Sequence, residues 1–134
     1  MAEARTLVAG AARGAALVLD EPLSFWGGVE PATGEVIDVR HPQRGSNLAG
    51  RILVMPSGRG SSSSSSVLAE CVRAGTAPAA IIIAEPDPIL ALGAIVAREL
   101  YARTIPIVVA TVPGIRTGDD VAVNAAPGLA ELTT

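Results

Sequence analysis

Aromatic, cysteine and histidine residues are scarce in this chain of 134 residues: Phe25, Trp26 and Tyr101 are the only rings of the first kind, and Cys71 and His41 stand alone. With so few rings there is no stacking platform for bases. The arginines are scattered under a net charge of −3 and form no basic stripe, so nucleic acid is excluded as a partner. A single cysteine can form no internal disulfide and cannot by itself hold a metal cluster. Its neighbours Leu68 and Val72 predict a buried, unreactive thiol. No apolar stretch approaches the roughly 20 residues of a spanning helix, and the N-terminus lacks a signal-type apolar block. The chain therefore reads as cytoplasmic, away from membranes.

What is abundant is small aliphatic residue. Hydrophobic side chains make up 49% of the sequence, so the core is built from Ala, Val, Ile and Leu, a composition suited to strands and helices packed in layers. The length fits one domain, 1–134, with residues 1–13 expected to be weakly ordered. Strands are predicted at 14–20, 35–39, 51–55, 79–84 and 105–110, and a last one at 121–124. Helices are predicted at 66–74, stopped by Gly75, and at 89–102. A turn runs from Val112 through Pro113, Gly114 and Gly118 to Asp120. Strands alternating with short helices favour a compact, single-domain α/β fold over a bundle.

The run Gly58-Arg59-Gly60-Ser61-Ser62-Ser63-Ser64-Ser65-Ser66 lies between the strand at 51–55 and the following helix. At such a junction the first-turn amides are free to donate, and their partial positive charge favours an oxyanion or a Ser alkoxide. Arg59 supplies a fixed cation for a carboxylate or phosphate, and Gly58 and Gly60 allow close approach to the backbone. The spacing matches neither a P-loop nor a nucleophile elbow. The same composition also suits a helix cap with a flexible linker, and the residues alone leave both readings open.

The segment 22–34, with Gly27, Gly28, Pro31 and Gly34, predicts a tightly turning loop that carries two of the three aromatics. Ser24, Phe25 and Trp26 in it shape a pocket or cap a core edge. His41, before Pro42, is read as a loop imidazole bonded to backbone, and Asp38 as a turn acceptor.

The series Leu23-Ser-Phe-Trp-Gly-Gly-Val-Glu-Pro-Ala-Thr-Gly-Glu-Val-Ile-Asp, then His41-Pro42, then Ile52-Leu-Val-Met-Pro-Ser-Gly-Arg-Gly-Ser-Ser-Ser, resembles the swivel domain, or small subunit, of the aconitase X family. The likeness runs from about Gly14 to the C-terminus. It implies a swivelling β/β/α fold related to the mobile domain of aconitase, docked on a large subunit that holds an iron–sulfur cluster, with no cofactor on this chain. Family members are hydro-lyases that dehydrate cis-3-hydroxy-L-proline in bacteria or mevalonate 5-phosphate in archaea. The Ser after Gly-Arg-Gly, here Ser61, corresponds to the family's proton acceptor. On this reading Arg59 steers a small hydroxy-acid substrate, with Gly60, Ser62 and Ser63 binding it through the helix start. The continuing Ser run resembles bacterial members, whereas archaeal small subunits tend toward Gly-Lys-Gly-Ser-Thr, so Arg59 stands where they carry Lys. Hydroxyproline is thus the expected substrate, and the length points to a separately encoded small subunit. Rival readings are a noncatalytic binding module and a phosphate-binding module.

Overall fold

A computed structural model describes residues 2–111 and 114–134; Val112 and Pro113, which open the turn expected at 112–120, lie outside the described residues. Seven strands close into a barrel in the order β1-β7-β6-β5-β2-β8-β9. They are β1 (Ala2–Val8), β2 (Gly10–Val18), β5 (Ile52–Met55), β6 (Ala80–Ile83), β7 (Ile107–Val109), β8 (Asp120–Ala125) and β9 (Leu129–Thr133). β3 (Val29–Glu30) and β4 (Glu35–Val36) make a separate small hairpin. Two helices, α2 (Ser64–Ala74) and α3 (Pro88–Tyr101), follow β5 and β6, and a broken turn, α1 (Phe25–Gly28), lies in the long segment after β2.

The barrel has two unlike halves. β2, β5, β6 and β7 run parallel, paired Ala16 to Ile52, Ile52 to Ala80 and Ile81 to Ile107. β1, β8 and β9 complete it with antiparallel pairings. Successive strand residues point to opposite faces, so each parallel strand feeds two cores. Ala16, Ile52, Ala80, Ile82 and Val108 join Val121, Val123 and Leu132 inside the barrel. Leu17, Leu53, Ile81, Ile83 and Ile107 face outward, under Leu68, Cys71 and Val72 of α2 and Leu90, Ala94 and Ala97 of α3. Small and β-branched side chains fill the narrow interior, which has no room for rings, and this accounts for the paucity of aromatics.

The strands at 51–55, 79–84 and 105–110 and both helices fall where the sequence predicts, each within two residues. Three differences have clear causes. Residues 2–8 and 10–13, expected to be weakly ordered, are strand: β1 pairs with both β7 and β9, and β2 extends back to Gly10 against β8. The strand at 121–124 is not the last, because β9 pairs back on β8 and on β1. The segment 35–39 contributes only the two strand residues of β4.

Candidate active site

The site is assembled where β5 ends and α2 begins. After Pro56 the chain runs beside Leu23 through a parallel bridge to Gly58, and the Arg59 amide donates to the Leu23 carbonyl at 3.3 Å. This pins the loop carrying Ser24, Phe25 and Trp26 against the Gly-Arg-Gly-Ser segment. Phe25 is fully buried in the core, whereas Trp26 is 58% exposed. Phe25 therefore anchors the loop in the core, while Ser24 is half-buried and Trp26 stands out from the surface beside it.

α2 starts two residues earlier than its apolar spacing suggests. Ser63 is the N-cap residue without a side-chain capping bond. Its amide donates instead to Ser61 Oγ at 3.2 Å, while the Ser64 amide donates to the Ser61 carbonyl at 2.9 Å. Ser61 is thus held by the first turn of the helix, and its oxygen receives an N–H that would also stabilise negative charge there. Ser62 and Ser63 are exposed, as are Arg59 and Gly60. Arg59 makes no ion pair among the described residues, and no atom lies within 4 Å of where a Cβ on Gly60 would stand.

Ser64, in the first turn of α2, is buried. Its Oγ lies 3.2 Å from Ser24 Oγ and accepts from the Trp26 amide at 3.3 Å, tying α2 to the aromatic loop. Nothing in a row of six serines distinguishes the one that faces inward. Asp87 is the other residue missed. It is the N-cap of α3, with Oδ1 accepting from the amides of Ile89 and Leu90 at 3.0 and 3.1 Å and Pro88 following it. The Asp-Pro pair before an apolar run is a legible helix start, yet its meeting with the serine loop is purely tertiary. Gly58 serves this meeting: a Cβ there would overlap Asp87 Oδ2. Its lack of a side chain accommodates a neighbouring carboxylate and not, as the sequence suggested, a ligand. Gly93 has a parallel role, since a Cβ on it would lie 2.7 Å from the Ser65 carbonyl oxygen. α3 can therefore press directly on the first turn of α2.

Arg59, Gly60, Ser61, Ser64 and Asp87, with Leu23 and Phe25, line a niche of about 10 Å³. That is room for one water at most. A small organic acid would have to sit over the niche, between this surface and another. Among the described residues, no group of three or more His, Cys, Asp or Glu side chains is placed to hold a metal ion, so an iron–sulfur centre does not fit on these side chains.

His41 and Asp38 have the structural roles read from sequence. His41 is buried; the Gln43 amide donates to Nδ1 and Nε2–H donates to the Glu21 carbonyl, each at 3.0 Å, leaving neither nitrogen for chemistry. Asp38 accepts from the Arg40 amide at 3.0 Å. Cys71 is buried and free, and burial pushes its thiol up from its ordinary pKa.

Barrel, covering helices and a small serine-lined niche at the start of α2 define a small α/β module. The chain belongs to the aconitase X swivel domain family, whose model matches residues 1–132. It is 59% identical over 103 residues to cis-3-hydroxy-L-proline dehydratase of Pseudomonas aeruginosa, covering 77% of this chain and 18% of that protein. The match to the enzyme of the same name from Hypocrea jecorina likewise covers only 18% of its length. The chain thus spans less than a fifth of these two relatives. It is also 42% identical over 128 residues to the phosphomevalonate dehydratase small subunit of Thermococcus gammatolerans, covering 96% and 94% of the two chains. Among solved structures, a chain of Thermococcus kodakaraensis aconitase X in its holo-form superposes with a TM-score of 0.87 at 39% identity, with both chains covered in full. The resemblance and the swivel-type α/β fold expected from sequence are both borne out.

Proposed function

We propose that this chain is the small, swivel-domain component of a heteromeric hydro-lyase, active in the cytoplasm only when docked on an aconitase X large subunit, and that it dehydrates a 3-hydroxy acid. The observation that carries this reading is the niche itself: an amide-supported Ser61, an Arg59 with no ion pair among the described residues and an unobstructed Gly60 share one wall of a niche too small to enclose a substrate. Ser61 Oγ takes the proton next to the substrate carboxylate. Arg59 holds that carboxylate, Gly60 admits it to the backbone, and the Ser62 and Ser63 hydroxyls reach its oxygens from the exposed side. The Ser63 amide is already committed to Ser61 and tunes the base. Trp26 closes the rim. The large subunit holds an iron–sulfur cluster, which supplies the Lewis acid that loosens the departing hydroxyl.

Cis-3-hydroxy-L-proline is the substrate favoured by the 59% identity to the Pseudomonas aeruginosa dehydratase. Mevalonate 5-phosphate is the second reading, favoured by near full-length matches to archaeal small subunits. The test is to co-express the chain with its large subunit, reconstitute the cluster, and compare kcat/KM for both substrates in wild type and Ser61→Ala. Turnover of cis-3-hydroxy-L-proline that falls by about a hundredfold or more in the variant is the expected result. Near-normal turnover of Ser61→Ala would refute the base assignment, and preference for mevalonate 5-phosphate would transfer the function to the second reading.

A further inference from the structure

A serine hydroxyl is too weakly acidic to become a base unless its own proton has somewhere to go, and the reading of Ser61 above leaves that destination open. The niche contains one candidate. Among the described residues that line it, Asp87 is the only carboxylate, and its two oxygens are used differently. Oδ1 is occupied by the Ile89 and Leu90 amides, which fix the side chain on a rigid helix end. Oδ2 lies over the bare Cα of Gly58 and takes no hydrogen bond from any described residue. Ser61 lines the same small space, and its Oγ accepts the Ser63 amide, which leaves its O–H free to donate elsewhere. The space between the groups lining it is about 10 Å³, room for a single water. The only other charged side chain lining it is Arg59, from the loop after β5. The aromatic loop contributes Leu23 and Phe25, and the first turn of α2 contributes Ser64.

We propose that a water taken up in that space carries the Ser61 hydroxyl proton to Asp87 Oδ2, making Asp87 a positioning and proton-accepting residue of the site. The proposal rests on the dehydratase reading only for Ser61 being the base. When the substrate C–H breaks, its proton passes to Ser61 Oγ while the Oγ proton moves to Oδ2. The C–H electron pair becomes the new double bond as the C–O bond breaks. The departing hydroxide leaves as water on taking the proton that Asp87 Oδ2 received, and the two side chains return to their starting charges. Gly58 is then required because any side chain there would expel Oδ2 from the niche.

Asp87→Asn separates this role from helix capping, because the amide oxygen still accepts from Ile89 and Leu90. In the reconstituted complex the expected result is kcat lowered about a hundredfold with KM little changed, loss of the acid limb of the kcat/KM profile, and an unchanged Tm. Wild-type kcat with an intact acid limb in Asp87→Asn, and loss only in Asp87→Ala, would reduce Asp87 to a cap and overturn the proposal. A second measurement needs no turnover: the carboxyl carbon of Asp87, followed by NMR through a pH titration of the full chain, should shift its midpoint when Ser61 is changed to Ala. An unmoved midpoint would overturn the proposal even if the complex is an active dehydratase. A complex inactive on every hydroxy acid, with a shifted midpoint, would instead refute the dehydratase reading and leave the coupling of Ser61 to Asp87 established.

Discussion

The parallel and antiparallel halves of the barrel enclose one interior but differ in what lies outside it. All four residues of β6 are buried, because helices cover its outer face. β8 and β9 alternate buried and exposed positions, with Ala130 and Leu132 inward and Leu129, Glu131 and Thr133 outward. Covering the outer face frees the ends of the parallel strands to carry chemistry, as open parallel sheets generally do. β5 delivers the serine loop and β6 delivers Asp87, and they meet because their strands are neighbours. Among the described residues, the antiparallel strands lend none to the lining of the niche; they close the barrel.

The sharpest way to break this division is to empty the shared interior from each side. Ile82→Ala from the parallel half and Leu132→Ala from the antiparallel half each remove a buried side chain from the same core. Each should cost about 2–5 kcal/mol in urea unfolding, with losses of similar size. A small loss at Leu132 alone would mean that the antiparallel strands are a loosely closed flap. Next in size is Gly93→Ala, which pushes α3 away from the Ser65 backbone. It should destabilise by about 1–3 kcal/mol and lower the activity of the complex, whereas Gly60→Ala, with open space around it, should leave Tm unchanged.

A smaller effect probes the layer between barrel and helices. The raised pKa of the Cys71 thiol means that the folded chain keeps a proton that the unfolded chain loses first. Its stabilising share is complete below the ordinary thiol pKa and declines as pH rises above it. Iodoacetamide should accordingly label Cys71 rapidly in urea and hardly at all in the native chain, even at mildly alkaline pH. The smallest expected effect belongs to the exposed pair Arg13 and Asp120, which joins β2 to β8 on the surface. Arg13 holds the Asp120 carboxyl below its usual range. Any stabilisation from the pair would be present above that range and lost on acidification. Full exposure screens it, so Arg13→Ala should leave Tm unchanged.

The two halves also differ in how far the sequence discloses them. Runs such as Ile81-Ile82-Ile83 and Ile107-Val108-Val109 announce strands buried on both faces. β1 and β9 hide because their inward residues are alanines and a leucine set among Glu, Arg and Thr, a weak alternation that becomes strand through pairing with each other and with β7 and β8. At the niche, the position of Arg59, Gly60 and Ser61 between strand and helix was legible from glycine and hydroxyl content, whereas the roles expected of them came from the family resemblance. Ser64 was not, since burial singles out one serine among six.

By itself the sequence determined the aliphatic core, the strand-to-helix position of the serine run and the isolation of Cys71, because local composition and spacing express these, and its motifs carried the resemblance to the family. Only the tertiary structure decided that the chain closes into a barrel, that Gly58 makes room for Asp87, and that Ser24, Ser64 and Trp26 lock two loops together. Those outcomes depend on segments distant in sequence being brought together by strand pairing and helix packing, which no local pattern encodes.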